Sequence, residues 1–245
     1  MNVIGVIPSR YASSRFPGKP LADINGKSMV QRVYEQALKA TSLTDVVVAT
    51  DDVRIADHVK SWGGNVVMTA KDHPSGTDRC KEAADKFMPE ADIVINIQGD
   101  EPFIAPEQIN QLVDLFDEET DISTLVQEID DREVLFDENA PKVVRDQQGF
   151  ALYFSRHPIP FRRGISPEKW LEEHTYYRHI GMYGYRMHIL RELTTLPPSS
   201  LEISESLEQL RWLENHYKIK TGITSGAPQG VDTPEDLQKL LNKNL

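Results

Sequence analysis

Three cations crowd one short stretch of this chain: Arg10, Arg15 and Lys19 stand in Arg-Tyr-Ala-Ser-Ser-Arg-Phe-Pro-Gly-Lys-Pro, directly after the apolar run Val3 to Pro8. Guanidinium and ammonium groups at that density suit a multiply charged anion, and triphosphate is the natural partner. Gly18 and the hydroxyls of Ser13 and Ser14 allow close backbone approach, while Pro17, Pro20 and Gly18 restrict the loop, so its cations are held rather than tethered. The plainer use of such residues is a solvated basic surface. Placement at the carboxyl end of a buried strand, where ligands settle in open α/β sheets, argues for the anion. No G-x-G-x-x-G follows the strand, and Gly18-Lys19 precedes proline instead of Ser or Thr, which disfavours hydride transfer and an ordinary ATPase.

A triphosphate brings a divalent cation that needs hard oxygen ligands. Asp100, ending the run from Asp92 to Gln98, has that task open to it, a turn residue being its other use. Asp232, just before the cap residue Thr233, is available as a second carboxylate. The stretch His73 to Arg79 carries two readings that stay open: Ser75 or Thr77 as a plain helix cap, or a helix N-terminus whose N–H groups, small residues and Arg79 receive a base or phosphate.

The elements that must hold these groups follow from the apolar pattern. Val3 to Ile7 reads as a strand buried on both faces and ending at Pro8. Ser28 caps a helix with Val30, Val33, Ala37 and Leu38 on one face, Asp45 to Thr50 is a strand, Asp51-Asp52 opens a helix to Trp62, and Asn65 to Thr69 is a third strand. A helix with Cys80, Ala83, Ala84 and Phe87, the strand before Asp100, a helix from Pro106 to about Phe116 and the strand Ile122 to Val126 continue the alternation. That rhythm predicts an α/β fold with a mostly parallel sheet and helices on both faces. From about Asp130 it changes: Lys142 to Arg145 and Ala151 to Ser155 form an antiparallel hairpin, a charged, proline-rich loop runs to about Glu173, and the strand His179 to Arg186 carries more polar groups than a plain core strand needs. Glu205 to His216 reads as one helix, with Glu208 and Gln209 solvated beside its apolar face. Lys218 to Thr224 is a late strand, and Thr233-Pro234 opens the last helix.

At 245 residues with net charge −11, the chain reads as one domain (1–245) with an insertion over about 130–190. The acidic balance argues against nucleic acid and anionic membranes, so the basic loop serves a small anion. One cysteine, Cys80, cannot form an internal disulfide, and it reads as a packed small side chain. With no long apolar segment or cleavage pattern at the N-terminus, the expectation is a cytoplasmic protein.

In order along the chain, the loop at Arg10, S-G-T-D-R at Ser75, Q-G-D-E-P at Gln98, Y-F-S-R at Tyr153, H-x-G-x-Y-G-Y-R at His179, L-E-Q-L-R at Leu207 and V-D-T-P-E-D at Val231 resemble the 3-deoxy-manno-octulosonate (Kdo) cytidylyltransferases, over nearly the whole chain. One such motif is weak; the ordered series is specific. The resemblance implies a Rossmann-like three-layer αβα nucleotidyltransferase fold with a mixed, mostly parallel sheet and a β-rich dimerisation insertion. It implies a cytoplasmic, Mg2+-dependent homodimer that joins CTP and Kdo, releasing pyrophosphate and making the activated sugar of lipopolysaccharide assembly. On matching positions, Pro8, Arg10, Arg15, Lys19, Ser75, Gly76, Arg79 and Gln98 would face the nucleotide, and Asp100 and Asp232 would hold the metal. Lys19, Arg10, Asp100 and Asp232 would carry catalysis. Gln98, Arg156, His179, Tyr183, Tyr185, Glu208 and Gln209 would surround the sugar. Phe16 departs from an expected leucine, which alters packing only, and 157–177 has no clear motif. Competing readings are the same reaction on 8-amino-Kdo, on another acidic sugar such as sialic acid or with another nucleotide, and a non-catalytic CTP sensor.

Overall fold

The computed structural model describes residues 1–12, 16–225 and 230–242. In chain order it contains β1 (Val3–Ser9), a 3-10 turn (Lys19–Leu21), the small hairpin β2 (Asp23–Ile24) and β3 (Lys27–Ser28), α1 (Met29–Ala37), β4 (Asp45–Thr50), α2 (Val53–Ser61), β5 (Val66–Met68), α3 (Gly76–Phe87), β6 (Ile93–Asn96) and α4 (Pro106–Asp114). Then follow β7 (Ile122–Ile129), α5 (Arg132–Phe136), β8 (Lys142–Arg145), β9 (Ala151–Ser155), a 3-10 turn (Pro167–Lys169), α6 (Trp170–Glu173), β10 (Tyr176–Arg186), α7 (Met187–Leu193), α8 (Ser200–Glu205), α9 (Gln209–Glu214), β11 (Ile219–Ile223) and α10 (Pro234–Leu241). These gather into two compact units, one from Met1–Asn110, Gly184–Thr194 and Pro228–Leu245, the other from Gln111–Tyr183 and Thr195–Ala227.

The first unit is built on parallel strands in the order β5-β4-β1-β6. β1 and β4 are apolar on both faces because helices cover both. The connections from β1 to β4 and on to β5 step one way and the one from β5 back to β6 reverses, so by the right-handed rule for parallel crossovers α1 and α2 belong to one face and α3, which packs on β1, β4 and β6, to the other. The reversal makes the carboxyl ends of β1 and β6 a switch point, where the connecting loops diverge and leave a crevice. Ser28 caps α1 by accepting from Gln31 N, and Met29, Val30, Val33, Tyr34 and Ala37 are its buried face. Leu38 falls beyond the helix and is exposed. Cys80 is fully buried in α3.

β1 runs through Pro8 to Ser9, past its expected end. β6 stops at Asn96, opposite Val6, so at Pro8 the strand has a neighbour on one side only, beside Ala49 of β4. A residue without an N–H is tolerated at such an edge.

In the second unit β7 pairs in parallel with β11, and the antiparallel β8–β9 hairpin has the bounds expected from sequence, with β8 also antiparallel to β10. The supposed charged loop before Glu173 contains a 3-10 turn and α6, because Trp170 is a buried anchor. It stacks on Tyr176 with ring centroids 6.2 Å apart and joins Ile129, Leu135 and Tyr176 in an apolar cluster. The helix read from Glu205 to His216 is two helices. Ser206 adopts the left-handed conformation (φ 51, ψ 49), ending α8, and α9 begins only at Gln209. Among the described residues no helix is long and apolar enough to cross a membrane.

Two glycines test this account of strand packing. A Cβ on Gly99 would lie 2.9 Å from the Pro8 carbonyl oxygen, a backbone atom with no room to yield, whereas a Cβ on Gly181 meets nothing within 4 Å. Urea unfolding of Gly99→Ala is expected to show a loss of about 1–3 kcal/mol from overpacking, with Gly181→Ala neutral or slightly stabilised. Equal effects would contradict the close approach of Gly99 to Pro8 of β1.

Candidate active site

A cavity of about 420 Å3 opens at the switch point, with Pro8, Arg10, Lys19, Gly76, Gln98 and Asp100 in its wall. Gly18 is left-handed (φ 73) and turns the chain into the 3-10 turn that presents Lys19. The Lys19 ammonium donates to Asp100 Oδ2 at 2.8 Å and to the Val231 carbonyl at 3.0 Å, and lies 3.5 Å from Asp232 Oδ1. Three segments distant in sequence thus meet at one nitrogen. Asp232 is brought there by the start of α10, where Thr233 and Asp236 form a capping box with Pro234 at the first helical position. Val231 N–H donates to Asp100 O at 2.9 Å, and Val231, Leu240, Ile24 and Met29 form an apolar cluster against which Phe16 and Phe103 pack. Next to Asp100, burial and then the Asp100 charge push the Glu101 carboxyl up to about 7.

Arg10 reaches across to the segment before α3, donating from Nη2 to His73 O at 2.6 Å and to Ser75 O at 3.3 Å. Ser75, not Thr77, caps α3, accepting from Asp78 N at 3.2 Å. Arg79 turns inward. It is fully buried, 3.1 Å from Asp51 Oδ1 and bonded to Thr69 Oγ1, with its Nε and Nη2 lacking hydrogen-bond partners. Burial lowers its pKa, with Asp51 opposing and Arg10 adding to the shift. Glu82 pins the same segment by accepting from Ala70 N–H, His73 and Lys86. Arg15, Ser13 and Ser14 lie outside the described residues.

Of the sugar-side residues, Gln98 and the fully buried Tyr185 belong to the first unit, and Arg156, His179, Tyr183, Glu208 and Gln209 to the second. His179 packs edge-on to Phe154 and tilted on Tyr183, and Tyr183 sits edge-on to Trp212, with centroids 5.0–5.3 Å apart. Thr124 Oγ1 donates to Met182 O at 2.9 Å and meets His179 Nε2 at 3.0 Å, which assigns the ring proton to Nε2. Burial pushes the His179 pKa down to about 3, so the ring is neutral. Burial and then Glu208 raise the Tyr183 phenol.

The expectation of solvation fails for Gln209, while Glu208 keeps 28% of its side chain exposed. Gln209 is buried with no hydrogen-bond partner for Nε2, and Glu208 lies 3.5 Å from Arg211, because the break at Ser206 turns them away from a continuous surface helix. Arg156 is held by main chain, donating to Glu205 O, Glu138 O and Ser206 O. Glu205, missed as a structural hub, receives Ser155 Oγ and Arg156 N on its two carboxylate oxygens. A lone glutamate at an apparent helix start gave no signal of this, and neither did Thr124 on its strand.

Residues 4–219 match the cytidylyltransferase family model. The chain belongs to the cytidylyltransferase family. It is 57% identical to the 3-deoxy-manno-octulosonate cytidylyltransferase of Parabacteroides distasonis, over 98% of this chain and 97% of that one, and 56% identical to the enzyme of the same name from Bacteroides thetaiotaomicron, over 97% and 96%. A protein from Shewanella amazonensis named 8-amino-3,8-dideoxy-manno-octulosonate cytidylyltransferase is 47% identical over 99% and 98%. A solved CMP:2-keto-3-deoxy-manno-octonic acid synthetase complexed with CTP superposes with TM-score 0.92 at 43% identity, covering 99% of this chain and 98% of that one.

In this cytidylyltransferase Asp100 and Asp232, which meet at the Lys19 ammonium, are the residues that could hold a metal. Two carboxylates converge within 3.5 Å of one nitrogen, and among the described residues no group of three or more His, Cys, Asp or Glu is placed to hold a metal ion. Magnesium is commonly held by one or two carboxylates with water and substrate phosphate.

The Glu82 network gives a pH test. Burial alone would raise its carboxyl, but Lys86, Ala70 N–H and His73 outweigh burial and bring the pKa down from 4.5 to about 2. A carboxylate depressed on folding contributes stability in full above its unfolded pKa and loses it as pH falls toward the folded one. Urea unfolding followed from pH 6 to 2 is expected to show wild type losing stability more steeply than Glu82→Gln between about pH 4.5 and 2. Parallel profiles would contradict the network.

Proposed function

We propose that this chain transfers CMP from CTP to 3-deoxy-D-manno-octulosonate, giving CMP-Kdo and pyrophosphate, as a cytoplasmic homodimer using Mg2+. The observation that carries this reading is the meeting of Asp100 and Asp232 at the ammonium of Lys19, a cavity-wall residue, in a chain 57% identical to a relative named for that reaction. The sugar's anomeric hydroxyl attacks the α-phosphorus in line with departing pyrophosphate. A new O–P bond forms, the bond to the bridging oxygen breaks with its electron pair leaving on pyrophosphate, and the hydroxyl proton passes to water. Catalysis of such a transfer is chiefly positioning and charge neutralisation. Lys19 would move its ammonium from carboxylate to the α-phosphate oxygens, and Arg10, braced on two carbonyls, would meet the outer phosphates. The α3 N-terminus at Gly76 offers N–H groups to phosphate or base. Asp100 and Asp232 would hold magnesium, which when bound offsets phosphate charge and lowers the pKa of the attacking hydroxyl. In the second unit the buried Gln209 amide, a donor with no protein acceptor, suits a sugar oxygen.

Pyrophosphate release is measured with CTP and Mg2+ against Kdo, 8-amino-Kdo and sialic acid, with ATP, GTP and UTP as nucleotide controls. Release with CTP and Kdo is expected, and Lys19→Ala and Asp100→Asn, folded by circular dichroism, should lose about a hundredfold to a thousandfold in kcat. Release with 8-amino-Kdo alone would replace the sugar. Variants near wild type would remove these residues from the mechanism, and CTP binding with no release on any sugar would leave a CTP sensor.

A further inference from the structure

The Lys19 loop is braced from outside the cavity. The Arg54 guanidinium carbon lies 3.3 Å from the centroid of the Tyr11 ring, closely stacked on its face. The guanidinium is itself fixed, because Arg54 Nε and Nη2 donate to Asp52 Oδ1 and Oδ2 at 2.9 and 2.6 Å, a bidentate pairing with the residue that caps α2. Beneath that stack Tyr11 meets Gly18. The Tyr11 carbonyl accepts from Gly18 N at 2.9 Å, and a Cβ on Gly18 would lie 3.2 Å from Tyr11 Cζ. Gly18 O then accepts from Leu21 N at 2.9 Å, closing the turn that carries Lys19. Gly18 is suited twice over, by its positive φ and by the ring lying against it.

We propose that Arg54 and Tyr11 are positioning residues for the nucleotide: the fork of Asp52 orients Arg54, the guanidinium clamps the Tyr11 ring, and Tyr11 fixes the Gly18 turn that aims Lys19. The proposal rests on the reading of Lys19 as a phosphate-binding cation. Neither residue touches the reacting atoms. Arg54 is more than half exposed, with a side-chain accessibility of 56%, so its location gives it little work in the core. A stack between an arginine and an aromatic face accounts for such a pair, and it is stronger when the guanidinium is pre-oriented.

The test is a double-mutant cycle on CTP affinity, read by calorimetry with Mg2+ and no sugar, so that it does not depend on turnover. Arg54→Ala and Tyr11→Leu are each expected to weaken CTP binding about threefold to tenfold. The double variant should be little worse than either alone, because both break one stack. Tyr11→Phe, which keeps the ring, should bind CTP within about twofold of wild type. In turnover the CTP KM should rise while the sugar KM and the melting temperature stay put, a split that a general packing role would not produce. Unchanged CTP affinity in Arg54→Ala, additive losses in the cycle, or equal rises in both KM values would overturn the brace. Wild type that binds CTP without turnover would overturn the transfer reaction and leave this test standing.

Discussion

The Lys19 ammonium is the point on which the first unit's site depends. It is one cation against two carboxylates and a carbonyl oxygen, with only 16% of its side chain exposed. Taking charges out of water costs several kcal/mol per ion, and the attraction between them roughly offsets that cost, so such a cluster adds little net stability. What it does is hold three groups in register with an excess of negative charge. On the proposed reading a divalent cation would satisfy that excess, and an incoming triphosphate would meet both the cation and a lysine whose carboxylate partners have another ligand.

The sheet explains why the three groups meet. Reversal of strand order between β1 and β6 opens a crevice at their carboxyl ends, and both loops leave into it. Asp232 comes from the other end of the chain and needs separate ties, the Val231 N–H to Asp100 O bond and the apolar cluster at Val231 and Leu240. In the second unit the same kind of local break does the work: the left-handed Ser206, held through Arg156 and Glu205, separates two helices and turns Gln209 inward.

Much of this was legible in the sequence for physical reasons. Runs such as Asp45 to Thr50 are apolar without alternation because both faces are covered, and Ser28, Ser75 and Thr233 announce helices because their hydroxyls cap them. The cations and acids of the site showed in motifs at strand ends. What did not show were features set by tertiary contact. Trp170 in a charged stretch gave no period from which to infer α6, and a positive φ at serine has no sequence mark, so Glu205 to His216 read as one helix. The partners of the Arg156 guanidinium, main-chain carbonyls, carry no side-chain signature at all.

The central claim is that Asp100 and Asp232 form one metal site with the nucleotide at Lys19. The most direct measurement is a Mn2+ titration followed by electron paramagnetic resonance in the presence of CTP, comparing wild type with Asp232→Asn. Asp232 is about half exposed, so the substitution leaves the fold in place. The account predicts that Mn2+ binding in the CTP complex weakens by about tenfold or more when one of two carboxylate ligands is lost. Identical titrations for the two proteins would contradict it.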